Sequence, residues 1–154
     1  MLDEPQIVQT AAQAIAVVRL TVPRAEIQNV MGPGLTELRA AVSAQGIAIV
    51  GPWFTHHLLM DPAVFDYEIC VAVASPIAAA GRIQPSVRPA MRVARTVYRG
   101  GFEGLGAAWG EFNAWVAAEG LNPAKDLWEV YLAGPESSSD ASKWATQLDR
   151  PLLP

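Results

Sequence analysis

Hydrophobic and polar positions follow two periods along this chain, and the changes between them mark out its elements. Gln13 to Val22 (QAIAVVRLTV) is rich in β-branched residues and reads as a strand ended by Pro23. Arg24 to Met31 suits a short helix that Gly32 stops. Pro33 then opens a second helix to about Gln45, because a proline in the first turn loses no needed donor. Leu35, Leu38 and Val42 share one face at helical spacing, and Gly46 is a natural C-terminal stop. Ile47 to Met60 reads as a strand bent at Gly51-Pro52, followed by a turn at Met60-Asp61-Pro62. The segment FDYEICVAV alternates most clearly. Phe65, Tyr67, Ile69, Val71 and Val73 fall on one face, with Asp66, Glu68, Cys70 and Ala72 on the other.

Residues 76–89 hold prolines and small breakers and read as a connector. Beyond it the same order returns. Met91 to Tyr98 is a strand, and Phe102 to Glu119 is a helix with Phe102, Leu105, Trp109, Phe112 and Val116 on one stripe, closed by Gly120. Leu127 to Leu132 is a strand, residues 134–143 form a polar loop, and Trp144 to Leu152 is the last strand.

A shift of 74 residues ties the halves together without a gap. It superposes Gly32 on Gly106, Leu35 on Trp109, Leu38 on Phe112, Val42 on Val116 and Gly46 on Gly120. The same shift brings Phe54 onto Trp128, His57 onto Tyr131 and Leu58 onto Leu132. The expectation is one α+β domain over residues 1–154, made of tandem βαββ units at about 5–75 and 90–153. Their strands would form one largely antiparallel sheet with both long helices on one face.

Two such units side by side would leave a groove for a ligand. Trp53, Tyr98, Trp109, Phe112, Trp115, Trp128 and Tyr131 are the aromatic residues placed to line it. Glu129 stands inside an apolar strand, and strand parity puts it on one face with Tyr131, with Trp128 and Val130 on the other. A carboxylate and a phenol two residues apart can act on one ligand together. Periodicity equally allows Glu129 to be an ordinary surface charge.

Composition narrows the partners. A net charge of −4 and only 11 scattered basic residues give no surface for phosphate backbones, so nucleic acid is not expected. No apolar run reaches the ~18–20 residues of a membrane span. Cys70 is the single cysteine, and the start MLDEPQIVQ is acidic where a secretory leader would be basic and then apolar, which points to the cytoplasm. His56 and His57 are adjacent in a strand and point to opposite faces, so they cannot share a metal ion, and no cofactor is expected. Glu68 reads as a solvated residue, and Cys70 has no basic sequence neighbour to activate it.

Three passages carry a family likeness: VYRGGFEGLGAAWGEFNAWVAAEGL, DLWEVYLAGP and GPWFTHHLLMDPAVFDYEICVAVASP. In their order and duplication they resemble the GyrI-like small-molecule-binding family, which also supplies the effector-binding domains of AraC- and MerR-type regulators. The resemblance runs from about Pro5 to Leu153. It implies a tandem βαββ fold and assigns Glu129 as the ligand-facing glutamate, often opposite a cationic aromatic compound. Tyr131, Trp109 and Tyr98 come with it as ligand-binding candidates, and Phe112, Trp53 and His57 join them from the aromatic lining, strand parity and the 74-residue register. The chain departs from the pattern where His57 replaces a frequent tyrosine, where Gly101-Phe102 replaces Pro-Tyr, and where Thr55 stands as the first-half partner of Glu129. No helix-turn-helix precedes the domain, so a stand-alone binder is expected.

The first reading is sequestration or sensing of a lipophilic, cationic aromatic molecule. The resemblance also implies a hydrolase reading, since some stand-alone members open cyclopropane rings in DNA-alkylating natural products. Glu129 would then be the general base and Tyr131 a hydrogen-bond donor to the substrate. A third reading is a protein-binding inhibitor of DNA gyrase, and a haem-binding histidine is a minor one.

Overall fold

The computed structural model describes residues 2–60 and 63–154. In chain order its elements are β1 (Gln6–Gln9), β2 (Gln13–Pro23), α1 (Ile27–Ala44), β3 (Phe54–Met60), β4 (Val64–Ala72) and β5 (Ile83–Arg88). There follow β6 (Arg92–Arg99), α2 (Leu105–Ala118), β7 (Leu127–Ala133) and β8 (Ala145–Pro151). The fold is mixed α+β, and its strand pairs are antiparallel. The backbone forms two compact units, one of residues 11–90 and one of residues 1–10 with 91–154.

Both units have the same plan. In the first, strands pair in the order β3-β4-β2-β5; in the second, the order is β7-β8-β6-β1. Each therefore holds a βαββ run plus one edge strand. The register shifts fall between His57 and Leu59 in one unit and between Tyr131 and Ala133 in the other, 74 positions apart. The helix ends match as well. Gly46 (φ 69) and Gly120 (φ 68) take the left-handed conformation that a side chain would resist. Around them Gly46 N–H donates to Ser43 O and Ile47 N–H to Val42 O, as Gly120 N–H does to Ala117 O and Leu121 N–H to Val116 O. These bonds satisfy carbonyls that the last turn would leave orphaned.

Each helix covers a core of its own. Leu38 and Val42 of α1 pack against Ala16, Val18, Ile69 and Val71. In the other unit Trp109, Phe112 and Val116 of α2 pack with Ala94, Leu127 and Leu148. Burial of these apolar faces is the main stabilising term, at roughly 25 cal/mol per Å² removed from water.

Four sequence expectations need correction. Gly32 does not stop a helix and Pro33 does not start one: α1 runs through both. The apolar face of α1 continues from Val30 and Met31 to Leu35 and Leu38, and packing it outweighs the local breakers. The expected strand from Ile47 shrinks to β3, because Gly51 (φ 113) and Pro52 interrupt it and Ile49 makes only an isolated bridge to Val73. The connector at 76–89 contains a strand, β5, with Pro85 opposite Ala16. Proline is tolerated there because β5 lies at the edge of its unit's sheet. Finally, the polar N-terminus forms β1 and pairs with β6, so it belongs with the later residues rather than with the first repeat. The turn expected at 61–62 lies outside the described residues.

Among the described residues no helix is long and apolar enough to cross a membrane. Pro33 lies exposed within α1, where it supplies no backbone donor. Pro33→Ala is expected to stabilise the protein by about 1–3 kcal/mol, since an interior proline costs about 3 kcal/mol relative to alanine and part of that is returned by the looser unfolded chain. Urea denaturation of the two proteins checks this.

Candidate functional site

Glu129 stands in the middle of β7, where Leu127 to Tyr131 are all buried. Alternation sends Glu129 and Tyr131 to the side that α2 covers. There the carboxylate is 7% exposed and both of its oxygens accept hydrogen bonds. Trp109 Nε1–H of α2 donates to Oε2 at 2.6 Å, and the Tyr131 hydroxyl donates to Oε1 at 2.7 Å. Glu129 is therefore not a surface charge.

The aromatic setting is layered. The Phe112 ring lies 5.9 Å from Trp109 and stacks on Trp115 at 6.1 Å. Phe112 is 0% exposed, so it acts on the carboxylate through the position of Trp109. Tyr98 is buried, but its hydroxyl donates to Gly101 O at 2.9 Å and so holds the turn that leads into α2. Gly100 in that turn has φ 142, and a Cβ on Gly104 would collide with the Tyr98 hydroxyl. The turn thus needs its glycines to let Tyr98 close beneath it.

Two aromatic neighbours were not among the candidates read from the sequence. Phe102, 38% exposed, meets Tyr131 edge-on at 6.0 Å, and Trp144 lies 5.0 Å from Phe102. Phe102 carried a signal in its place on the helix stripe and in the family turn; Trp144 carried none beyond opening a strand. A third neighbour, Thr146, stands opposite both Tyr131 and Tyr98 on the central strand β8 and is 0% exposed. Only the strand register identifies it.

Two remaining candidates, His57 and Trp53, belong to the other unit. His57 is 4% exposed, with Nε2 3.2 Å from the Thr55 hydroxyl, and it stacks on Tyr67 at 5.4 Å and 16°. Trp53 is partly buried against the core of that unit. His56 points to the opposite face, where its Nδ1 is 3.2 Å from Glu68 Oε1, so Glu68 is half-buried beside a partner rather than freely solvated. Among the described residues no group of three or more His, Cys, Asp or Glu could hold a metal ion. Burial pushes the Cys70 thiol well above its usual range, which leaves it a poor nucleophile.

A mixed α+β chain of two βαββ units, one with a buried carboxylate beneath an indole, is the arrangement to compare with known small-molecule-binding domains. The profile of the GyrI-like small molecule binding domain matches residues 3–148, and the chain belongs to that family. Solved structures share the fold. The C-terminal domain of EcmrR is 21% identical with a TM-score of 0.86, over 97% of this chain and 97% of that one. The chain spans 57% of EcmrR in its DNA complex, at 21% identity, 97% coverage of this chain and a TM-score of 0.83. SAV2435 bound to tetraphenylphosphonium is 15% identical with a TM-score of 0.69, over 98% of this chain and 94% of that one. A hydrolase from Listeria innocua is 13% identical with a TM-score of 0.70, over 97% and 92%. Among the curated proteins none matches the chain.

Two outcomes follow from this geometry. Trp109→Phe removes the indole donor and leaves one Glu129 oxygen short of a bond, which is expected to cost about 1–3 kcal/mol at pH 7. In a denaturation cycle with Glu129→Gln the two changes should be non-additive, because they act on the same contact. The second outcome concerns Tyr67, whose hydroxyl burial pushes up to about 12. A phenol with a folded pKa above its unfolded value of about 10 contributes stability that is intact below pH 10 and lost as pH rises toward 12. Tyr67→Phe should remove that alkaline loss, seen by comparing urea midpoints between pH 9 and 12.

Proposed function

We propose that this chain binds a lipophilic, aromatic cation at Glu129, as a sequestering or sensing domain. The observation that carries the reading is the buried carboxylate in its aromatic setting. Trp109 and Tyr131 are neutral donors, so they orient the carboxylate without cancelling its charge. In a medium of effective dielectric about 20, unit charges 4 Å apart attract by about 4 kcal/mol. Ring faces add roughly 0.5–2 kcal/mol for each cation–π contact. Elsewhere in the same unit Asp149 is bound by Arg95 at 2.7 and 2.9 Å.

A ligand would reach Glu129 by displacing the half-exposed Phe102 from the edge of Tyr131. The SAV2435 complex with tetraphenylphosphonium supports this class of ligand, as a protein of the same fold. The family membership supports small-molecule binding in general. The duplication of one βαββ unit, inferred from the common register, is part of the same reading.

The hydrolase reading draws less support. A general base must reach a water or a substrate proton, whereas both oxygens of Glu129 already accept hydrogen bonds from protein donors. Tyr131, the expected donor to a substrate carbonyl, already donates to Glu129. The gyrase-inhibitor reading gains nothing from these residues.

Titration calorimetry with tetraphenylphosphonium tests the proposal. Glu129→Gln should weaken binding by about 1–3 kcal/mol, the scale of a charge-assisted contact, while circular dichroism remains that of the folded protein. Neutral triphenylphosphine oxide should bind both proteins alike. Equal affinity of the two proteins for tetraphenylphosphonium would remove Glu129 from the site. Glu129-dependent turnover of a cyclopropane compound, lost by about a hundredfold in the variant, would favour the enzyme instead.

A further inference from the structure

Thr146 carries a polar atom that the fold does not use. Its side chain is 0% exposed, and its Oγ1 has no hydrogen-bond partner among the described residues. A buried hydroxyl left in this state costs roughly what a lost hydrogen bond costs, and valine of nearly the same outline would avoid the cost. Stability therefore does not explain a hydroxyl at this position.

Its location is specific. Thr146 lies directly opposite Tyr131 on one side and Tyr98 on the other. Directly opposed residues in an antiparallel pair place their Cβ atoms about 4.5–5.5 Å apart on the same face. Glu129, paired with Leu148, is its diagonal neighbour at about 7 Å. Tyr98 has already committed its hydroxyl to Gly101, and Tyr131 its own to Glu129. Thr146 is thus the side chain in this row whose hydroxyl the protein leaves unbonded.

The other unit repeats the arrangement. Tyr67 on the central strand β4 stands opposite His57, the position that the 74-residue shift places on Tyr131. The Tyr67 hydroxyl is likewise buried and without a partner among the described residues. The same register position carries a buried, unbonded hydroxyl in both units, a phenol in one and an alcohol in the other.

We infer that Thr146 is a specificity-determining residue of the Glu129 site, whose hydroxyl bonds a polar atom of the ligand. The inference rests on the function proposed above. The ligand class it selects is narrower: an aromatic cation that also carries an N–H, hydroxyl or carbonyl. Cations without such a group fill the site but leave Thr146 unbonded.

The test compares tetraphenylphosphonium, which has no hydrogen-bonding atom, with rhodamine 6G, which has secondary amines and an ester. In Thr146→Val, rhodamine 6G affinity should fall about tenfold while tetraphenylphosphonium stays within about twofold, a loss on the scale of one hydrogen bond. Thr146→Ser should retain rhodamine 6G binding. The melting temperature of Thr146→Val should equal or exceed that of the parent, which a structural role for the hydroxyl would not permit. Equal effects on the two probes, no effect on either, no binding of rhodamine 6G to the parent, or a lower melting temperature would each overturn the inference. If tetraphenylphosphonium binds without dependence on Glu129, the proposed function itself fails. If that dependence holds and Thr146→Val spares rhodamine 6G, only the role of Thr146 fails.

Discussion

A carboxylate placed in the middle of a buried strand has to be bonded, and much of the unit around Glu129 can be understood from that requirement. An ionised group taken out of water costs several kcal/mol unless donors replace its hydration. Tyr131 is supplied by the same strand at a spacing of two, which needs only the pleat. Trp109 is different, because it comes from α2 and meets the carboxylate only if the helix is held in place over β7. The start of α2 is held by Tyr98 bonding the Gly101 carbonyl, and its end by the bonds around Gly120. Phe112 and Val116, almost wholly buried, fill the space beneath it. The core of this unit and the geometry of its site are the same set of contacts.

The unit of residues 11–90 meets no such requirement. With Thr55 where the other unit has Glu129, there is no charge at this position to satisfy, and β3 instead buries Thr55 and His57, with His57 stacked on Tyr67 of β4. Its helix can even absorb a proline at Pro33, since nothing on α1 has to meet a carboxylate. Two units with one strand order and one bulge position differ in charge, with Thr55 in one where the other has Glu129.

The recognition proposed for this chain, by one charge among rings, has a physical consequence for selectivity. Coulomb attraction falls slowly with distance, and ring faces accept many outlines, so such a site discriminates by charge more sharply than by shape. Hydrogen bonds are what restore discrimination among cations of similar size, because a donor or acceptor must lie at a definite distance and angle. A hydroxyl near the carboxylate, such as that of Thr146, is the kind of group that does so.

The sequence by itself determined the elements with strong periods. The alternation of β4, the stripes of both helices, the glycine stops at Gly46 and Gly120, and the 74-residue register are local patterns, and local patterns are written in neighbouring residues. It also placed Glu129 and Tyr131 on one face, because strand parity needs no tertiary information. Whether that face met solvent or the core was beyond parity, since the answer lies in α2. Only the tertiary structure decided that β1 and β5 are strands, for QIVQ is only four residues long, IQPSVR carries a proline, and both pair because β6 and β2 offer them an edge. It likewise decided that α1 continues through Gly32 and Pro33, because the burial of Leu35 and Leu38 lies outside any local window. Thr146 was invisible in the sequence for the same reason: its meaning comes from standing opposite Tyr131, 15 residues away along the chain and adjacent only in the sheet.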